Sequence, residues 1–480
     1  MFGPGPMASA DDEVTRAAAA ATKGYVVAAA GCGKTEQIAR ATKISSGRRL
    51  ILTHTNAGAD ALKARLDKLD VPKQQYRVDT IAGWSLRLSQ AFPVRSSLGE
   101  IDRSNTDWPA VYSAAETLVE GGAVDRILAA SYSGLFVDEY QDCSEKQHAV
   151  VRALSEQLPT CVFGDPLQAI FDFEQIVNWE RDIFPAFSKV GELKTAHRWR
   201  RVNSHVMADW LEAVRLDLEK GSLSFASLQS PVTWSRLPSD QPWRTMAVTN
   251  ACRTAHENAG EERLLVIADS VNVHARANIA KQVAKFGFSN LEAIDSKPLF
   301  SAANRIDKAA GTERLEAAID FAGACLSGWG PGDLLKGTQS ALTGGKAKRK
   351  QFGPLIDLAV GVTTANDEAS LEALLEAIAA LGKATPYCRE RFFALLAALK
   401  LKREAGLPTL VEAVWEVQNR RRHAGRRLGR RMVGSTLLVK GLECEHVVVV
   451  ATDDMSARDW YVAITRASKS LCILSSRQSL

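Results

Sequence analysis

The chain has 480 residues, with 60 Lys or Arg against 55 Asp or Glu and a formal charge of +5. That length exceeds a single compact core and predicts two or more domains, while 46% hydrophobic and 24% charged residues is the balance of a soluble globular protein. No apolar run approaches the roughly 20 residues of a membrane helix and the N-terminus lacks the apolar core of a secretory signal, so the expectation is a cytoplasmic protein with no membrane partner.

In chain order, residues 1–10 read as a flexible leader, rich in Gly and Pro. Tyr25-Val26-Val27 is a short β-rich run, and Ala28-Ala29-Ala30-Gly31-Cys32-Gly33-Lys34-Thr35 follows it ahead of a helical pattern. A strand, a glycine turn and a helix in that order make a phosphate-binding loop. Gly31 and Gly33 let backbone N–H groups converge on phosphates at the positive end of the helix. Lys34 is the candidate for the β- and γ-phosphates, and the Thr35 hydroxyl for Mg²⁺.

Leu50-Ile51-Leu52 is a second run, followed by a helix from Ala57 to Leu69 behind an Asn56 cap. Leu135-Phe136-Val137 delivers Asp138 and Glu139 at its C-terminal end, where open α/β sheets place ligands. Asp138 suits a Mg²⁺ shell, and Glu139 suits a general base that orients the attacking water. Cys161-Val162-Phe163 is a further run, and the texture returns at Leu264 to Ile267, Val447 to Val450 and Leu471 to Leu474. Between them, 297–429 is Ala/Leu/Glu-rich and helical in spacing, an α-helical insertion within a second α/β domain.

Two basic knots stand out: Lys346, Lys348, Arg349 and Lys350, then Arg420, Arg421, Arg422, Arg426, Arg427, Arg430 and Arg431. A solvated charged face and a phosphate-backbone contact are both open for each. The eight cysteines form no C-x-x-C pair and have no His at ligand spacing, which points to reduced thiols rather than zinc ligands or disulfides.

These motifs, in this order, resemble the UvrD/Rep/PcrA family of superfamily 1 helicases. The resemblance implies two RecA-like P-loop NTPase domains with parallel sheets, ATP in the cleft between them and single-stranded or tailed duplex DNA as partner. It implies nucleotide contacts from Ala30, Gly31, Cys32, Gly33, Lys34, Thr35 and Glu36. Thr53-His54-Thr55-Asn56 is similar to a DNA-contacting turn, with His54 where a stacking aromatic stands. Asp79 to Trp84 is similar to a second such turn, carrying Thr80 and Trp84. Gly164-Asp165-Pro166-Leu167-Gln168 resembles the motif whose Gln168 would sense the γ-phosphate, and Phe171 and Phe173 fall where aromatics lie next to DNA bases. Thr195-Ala196-His197-Arg198 implies Arg198 on the γ-phosphate and His197 over the adenine. Ser435 to Glu443 implies Lys440 near DNA and Glu443 near the ribose. Tyr461 to Ala467 is a close copy of the family's last motif and makes Arg466 the arginine finger.

The resemblance divides the chain into a first domain at 11–190, with a short accessory insertion near 90–134, and a second at 191–296 and 430–480, with 297–429 inserted. Departures are Asp11-Asp12-Glu13 where an adenine-reading glutamine is expected, Leu437 where relatives carry histidine and Glu174 where many carry arginine. The compact size resembles the helicase-like subunit of Gabija, an antiphage system in which it pairs with a separately encoded nuclease. Two functions follow: an ATP hydrolase that translocates on DNA or unwinds it 3′ to 5′, or a DNA-stimulated ATPase switch that regulates a partner nuclease. A small-molecule kinase using the same loop predicts no second α/β domain carrying Arg466.

Overall fold

Strands covered by helices on both faces need apolar side chains on both, and the β-rich runs of the sequence become such strands. The computed structural model describes residues 10–99, 106–170, 176–226, 228–292, 297–344, 349–424 and 428–479. The chain divides into two units, Met1–Leu223 with Ser456–Thr465, and Ser224–Met455 with Arg466–Leu480.

The first unit is built on a six-stranded sheet of β1 (Lys23–Ala28), β2 (Arg49–Thr53), β3 (Tyr76–Thr80), β4 (Gly134–Val137), β5 (Thr160–Gly164) and β6 (Ser188–Leu193), ordered β3-β2-β4-β5-β1-β6. Every pairing in it is parallel. One edge of the sheet therefore collects the C-terminal ends of all the strands, and the phosphate loop, the acidic pair and Gly164-Asp165 all leave from that edge. The expected boundary at 190 falls inside β6, which pairs with β1, so the first unit continues through helices His197–Arg201 and His205–Glu219. Helix Trp108–Glu120, in the segment expected as an accessory insertion, docks Tyr112, Ala115 and Leu118 into the same core as Leu50 and Leu135. The helix after β2 spans Asn56–Lys68, and its cap is Thr55 rather than Asn56: the Thr55 hydroxyl accepts from the Gly58 amide at 3.0 Å.

The second unit has its own six-stranded sheet of β7 (Val232–Arg236), β8 (Leu264–Ile267), β9 (Ser289–Asn290), β12 (Arg431–Gly434), β13 (Cys444–Val450) and β14 (Ala467–Ser475), again wholly parallel. Between β9 and β12 lies the helical segment, from Lys297–Lys308 to Leu410–Ala424, with a two-stranded ribbon of β10 (Leu326–Ser327) and β11 (Thr385–Pro386). Its helices share one continuous core with the sheet: Val266 and Val448 belong to the same cluster as Leu315, Leu374 and Phe392. A buried ion pair, Arg391 on Glu292, ties helix Arg389–Ala405 to the chain after β9. The fold class is α/β with two parallel sheets. Among the described residues no helix is long and apolar enough to cross a membrane.

Candidate active site

The phosphate loop is shaped by two left-handed glycines, Gly31 at φ +73° and Gly33 at φ +80°. An L side chain pays steric energy there that glycine does not. Space is also closed at Gly31: a Cβ would meet the Trp199 ring at 2.5 Å, and the Arg198 amide donates to the Gly31 carbonyl at 3.1 Å. Gly33 caps helix Lys34–Ile44, so the loop runs into a helix N-terminus, where unpaired amides favour an anion. Cys32 packs beneath the loop at 2% exposure, and burial, with the Asp165 charge beside it, pushes its thiol up to about 12. Glu36 is held by Arg40 and Arg65, each at 2.9 Å. Its carboxylate is thus already committed to one cation a turn along its own helix and one on helix Asn56–Lys68.

Lys34 reaches back to the acidic pair, with Nζ 2.5 Å from Glu139 Oε2 and 3.6 Å from Asp138 Oδ1. Burial pulls the ammonium down, but Glu139 and Asp138 outweigh it and hold Lys34 above its ordinary range. Asp138 is 3% exposed, and burial pushes its carboxyl up to about 6 against the pull of Lys34. Glu139 adopts φ +53°, a left-handed conformation that strains a non-glycine residue and is found at functional sites. Its amide donates to Asp138 Oδ1 at 2.9 Å.

Among the described residues no group of three or more His, Cys, Asp or Glu could by itself hold a metal. The donors here fit magnesium in its other habit, with one or two protein oxygens and the rest from phosphates. Thr35, in the first turn of the helix, and Asp138 would hold it. Bound there, magnesium would neutralise charge on the phosphates.

The acids are tied to the next strand. Gln141, wholly buried, donates through Nε2 to Glu139 Oε2 at 2.6 Å and accepts through Oε1 from the Asp165 amide at 3.0 Å. Asp165 is also wholly buried; its Oδ2 accepts from Gln168 Nε2 at 2.8 Å and its Oδ1 from Arg215 at 2.9 Å. Arg215 Nη1 donates in addition to the Tyr461 hydroxyl at 2.9 Å, and that hydroxyl accepts from the Ala30 amide at 3.1 Å. Gln141, Asp165, Tyr461 and Trp199 lie inside or beside motif strings, yet nothing in those strings marks their roles. Arg215 has no local signal at all.

Arg198 donates to the Thr465 carbonyl at 2.7 Å, and its guanidinium lies 5.2 Å from the Trp199 ring. His197 Nε2 is 2.6 Å from Asp11 Oδ2, and its ring is the side chain that a Cβ on Gly33 would meet first, at 3.7 Å. An imidazole backed by a carboxylate therefore stands beside the loop on the helix Ala10–Ala20 side.

The nucleic-acid candidates divide. His54 is half-buried at the end of β2, and Thr55 and Asn56 are exposed. Thr80 caps helix Ile81–Ala91 by accepting from the Gly83 amide at 2.9 Å. Trp84 corrects the expectation: at 7% exposure it packs with Leu50, Tyr112 and Val137, so its ring belongs to the core rather than to a strand-binding face. Phe171, Phe173 and Glu174 lie outside the described residues.

In the second unit, Arg466 is 2% exposed and donates to the Leu442 carbonyl at 3.3 Å, holding the turn between Lys440, half-buried, and Glu443, exposed. Of the second basic knot, Arg431 is buried and bonds His256 Nδ1 at 3.0 Å and the carbonyls of Gly260 and Glu262, which makes it structural. Arg420 pairs with Glu416 at 2.9 Å, Arg421 with Glu390 at 3.2 Å, and Arg430 with Glu261. Arg426 and Arg427, and Lys346 and Lys348 of the first knot, lie outside the described residues, and nothing is described of the side chains of Arg349, Lys350 and Arg422.

Residues 102–177 match the family model of the UvrD/REP helicase N-terminal domain. No curated protein matches the chain in sequence. Among solved structures, the Pif1 helicase from Candida albicans is similar at 11% identity and a TM-score of 0.40, over 99% of this chain and 95% of that one. An arterivirus nonstructural protein 10, a helicase solved in complex with DNA, is similar at 11% identity and a TM-score of 0.36, over 96% of this chain. The chain spans 63% of that protein's length. The segment matched by the family model holds β4, the acidic pair, β5, Asp165 and Gln168, and over it the chain is similar to the UvrD/REP helicases.

Proposed function

We propose that the chain is an ATP-dependent translocase or helicase on single-stranded DNA, UvrD-like and moving 3′ to 5′. One observation carries the ATPase part: at the C-terminal edge of a parallel sheet, Lys34 of a glycine loop lies on both Asp138 and Glu139. A cation on the phosphate side and two acids, one for magnesium and one for water, are what phosphoryl transfer to water requires. Gln168 and Arg198 are assigned to the γ-phosphate, and Arg466 to the charge that develops in the transition state. Two RecA-like domains, bridged by ATP, would convert hydrolysis into movement.

The test pairs two measurements on the same tailed duplexes: ATP turnover and strand displacement. Displacement from a 3′ tail with DNA-stimulated turnover supports the proposal. Turnover without displacement at either polarity replaces it with the switch that regulates a nuclease partner, and no turnover on any nucleic acid removes both. Running the assay with GTP tests the nucleotide: Asp11 accepts hydrogen bonds but cannot donate to an adenine ring nitrogen.

A further inference from the structure

Helix His205–Glu219 brings a largely covered cation to a place that no motif of the sequence marks. Arg215 has a side chain 12% exposed, and its Nη1 lies 2.9 and 3.1 Å from the two oxygens of Asp165 and 2.9 Å from the Tyr461 hydroxyl. The guanidinium also lies 5.3 Å from the Tyr461 ring. Its Nε pairs with Glu219 one turn along the helix at 3.3 Å, and each of the two partners of Nη1 leads to a different part of the site. Asp165 accepts from the Gln168 amide at 2.8 Å, and Tyr461 accepts from the Ala30 amide of the phosphate loop at 3.1 Å.

We propose that Arg215 is a positioning residue for ATP hydrolysis, a single guanidinium that orients Gln168 through Asp165 and the phosphate loop through Tyr461. The inference rests on the ATPase proposal above. A wholly buried carboxylate needs a partner for its charge, and Arg215 supplies it for Asp165. Without the guanidinium the Asp165 carboxylate loses the partner that fixes its plane, and the Gln168 amide loses a fixed acceptor. On the other branch, the Tyr461 oxygen has two lone pairs, one taken by Arg215 and the other by the Ala30 amide. Removing the guanidinium takes away both a hydrogen bond and a ring contact that hold the Tyr461 oxygen against the loop. A lysine is one bond shorter than arginine, so its ammonium stops short of the point where Nη1 meets both partners. Because both branches end on groups assigned to the nucleotide, the loss falls on turnover more than on binding.

The experiment measures ATP turnover on single-stranded DNA, with kcat and KM separated, for the parent, Lys34→Ala, Arg215→Ala, Arg215→Lys and Tyr461→Phe. Arg215→Ala is expected to lose on the order of 10²-fold in kcat, the scale of a small misplacement at a reacting centre, with KM for ATP within about threefold. Free guanidinium ion, below denaturing concentration, should restore part of that kcat. Arg215→Lys should not recover it, and Arg215→Ala combined with Tyr461→Phe should be no slower than Arg215→Ala alone. A parental kcat in Arg215→Ala overturns the inference. So does a joint loss of kcat and nucleotide binding that guanidinium leaves unchanged, which marks a role in folding only. Should Arg215→Ala not fold, Tyr461→Phe decides, since it keeps the ring and removes only the hydroxyl: a lowered kcat at unchanged KM supports the inference, and a parental kcat overturns it. A parent no faster than Lys34→Ala defeats the ATPase proposal itself, and the inference with it.

Discussion

Lys34 lies against two carboxylates, so its removal takes away a phosphate ligand and also the cation that offsets Asp138 and Glu139. Lys34→Ala is expected to abolish ATP turnover while the circular dichroism spectrum stays that of the parent; measurable turnover would show that another group holds the phosphates. Arg466 is buried against the Leu442 carbonyl. Arg466→Ala should leave nucleotide binding near the parent and slow hydrolysis by about 10³-fold, the scale of a removed arginine finger. Equal turnover in a single-round assay would withdraw that role. At this scale the sequence is readable where chemistry is packed into a contiguous string, as with Gly33-Lys34-Thr35 and Asp138-Glu139. It is silent on Arg215, whose neighbours carry no pattern and whose partners, Asp165 and Tyr461, are remote in the chain. Trp84 misleads for a related reason: an aromatic in a motif-like turn looks functional until its helix face is known, and Ile81, Trp84 and Ser85 all face inward.

The loop from β1 into helix Lys34–Ile44 works only with glycine at its turning points. Gly31→Ala places a Cβ in a left-handed residue and against the Trp199 ring, at 2.5 Å. Both the backbone and helix His197–Arg201 must give way. The expected cost is about 1–3 kcal/mol of stability, read from the denaturant midpoint, with ATP affinity lowered at the same time. An unchanged midpoint would mean that Trp199 moves aside freely. Strands β1, β2, β4, β5, β8, β13 and β14 are legible in the sequence because both their faces are apolar. Strand β6, Ser188–Leu193, is not, because it forms a sheet edge, half of its residues are polar and all but Leu193 are at least partly exposed. An unseen β6 is what places the expected boundary at 190 instead of Leu223.

Over the whole molecule a charge of +5 is too small to steer DNA by itself, so the strand binding proposed above would have to come from local clusters. Arg420 and Arg430 are exposed and paired with Glu416 and Glu261. Surface pairs of this kind are weak, and a phosphate can displace the carboxylate at little cost. Arg420→Glu with Arg430→Glu is expected to weaken single-strand binding and to flatten the plot of log affinity against log salt, by about one unit of slope for each phosphate that is no longer neutralised. A slope equal to the parent's would return both arginines to their own glutamates. Arg431→Glu should instead unfold the second unit locally, since its guanidinium caps buried carbonyls.

All eight cysteines are free, seven of them buried, and burial holds every one of the thiols above its usual range. Alkylation needs an accessible thiolate, and burial opposes both the access and the ionisation. The native chain should therefore be nearly inert to maleimide dyes while folded, and react only on denaturation. A fluorophore pair can be installed without first stripping the cysteines out, for example at Val94→Cys in one unit and Val271→Cys in the other, both side chains being largely exposed. Energy transfer between two such dyes would then report, in the otherwise unaltered protein, whether nucleotide changes the separation of the two units.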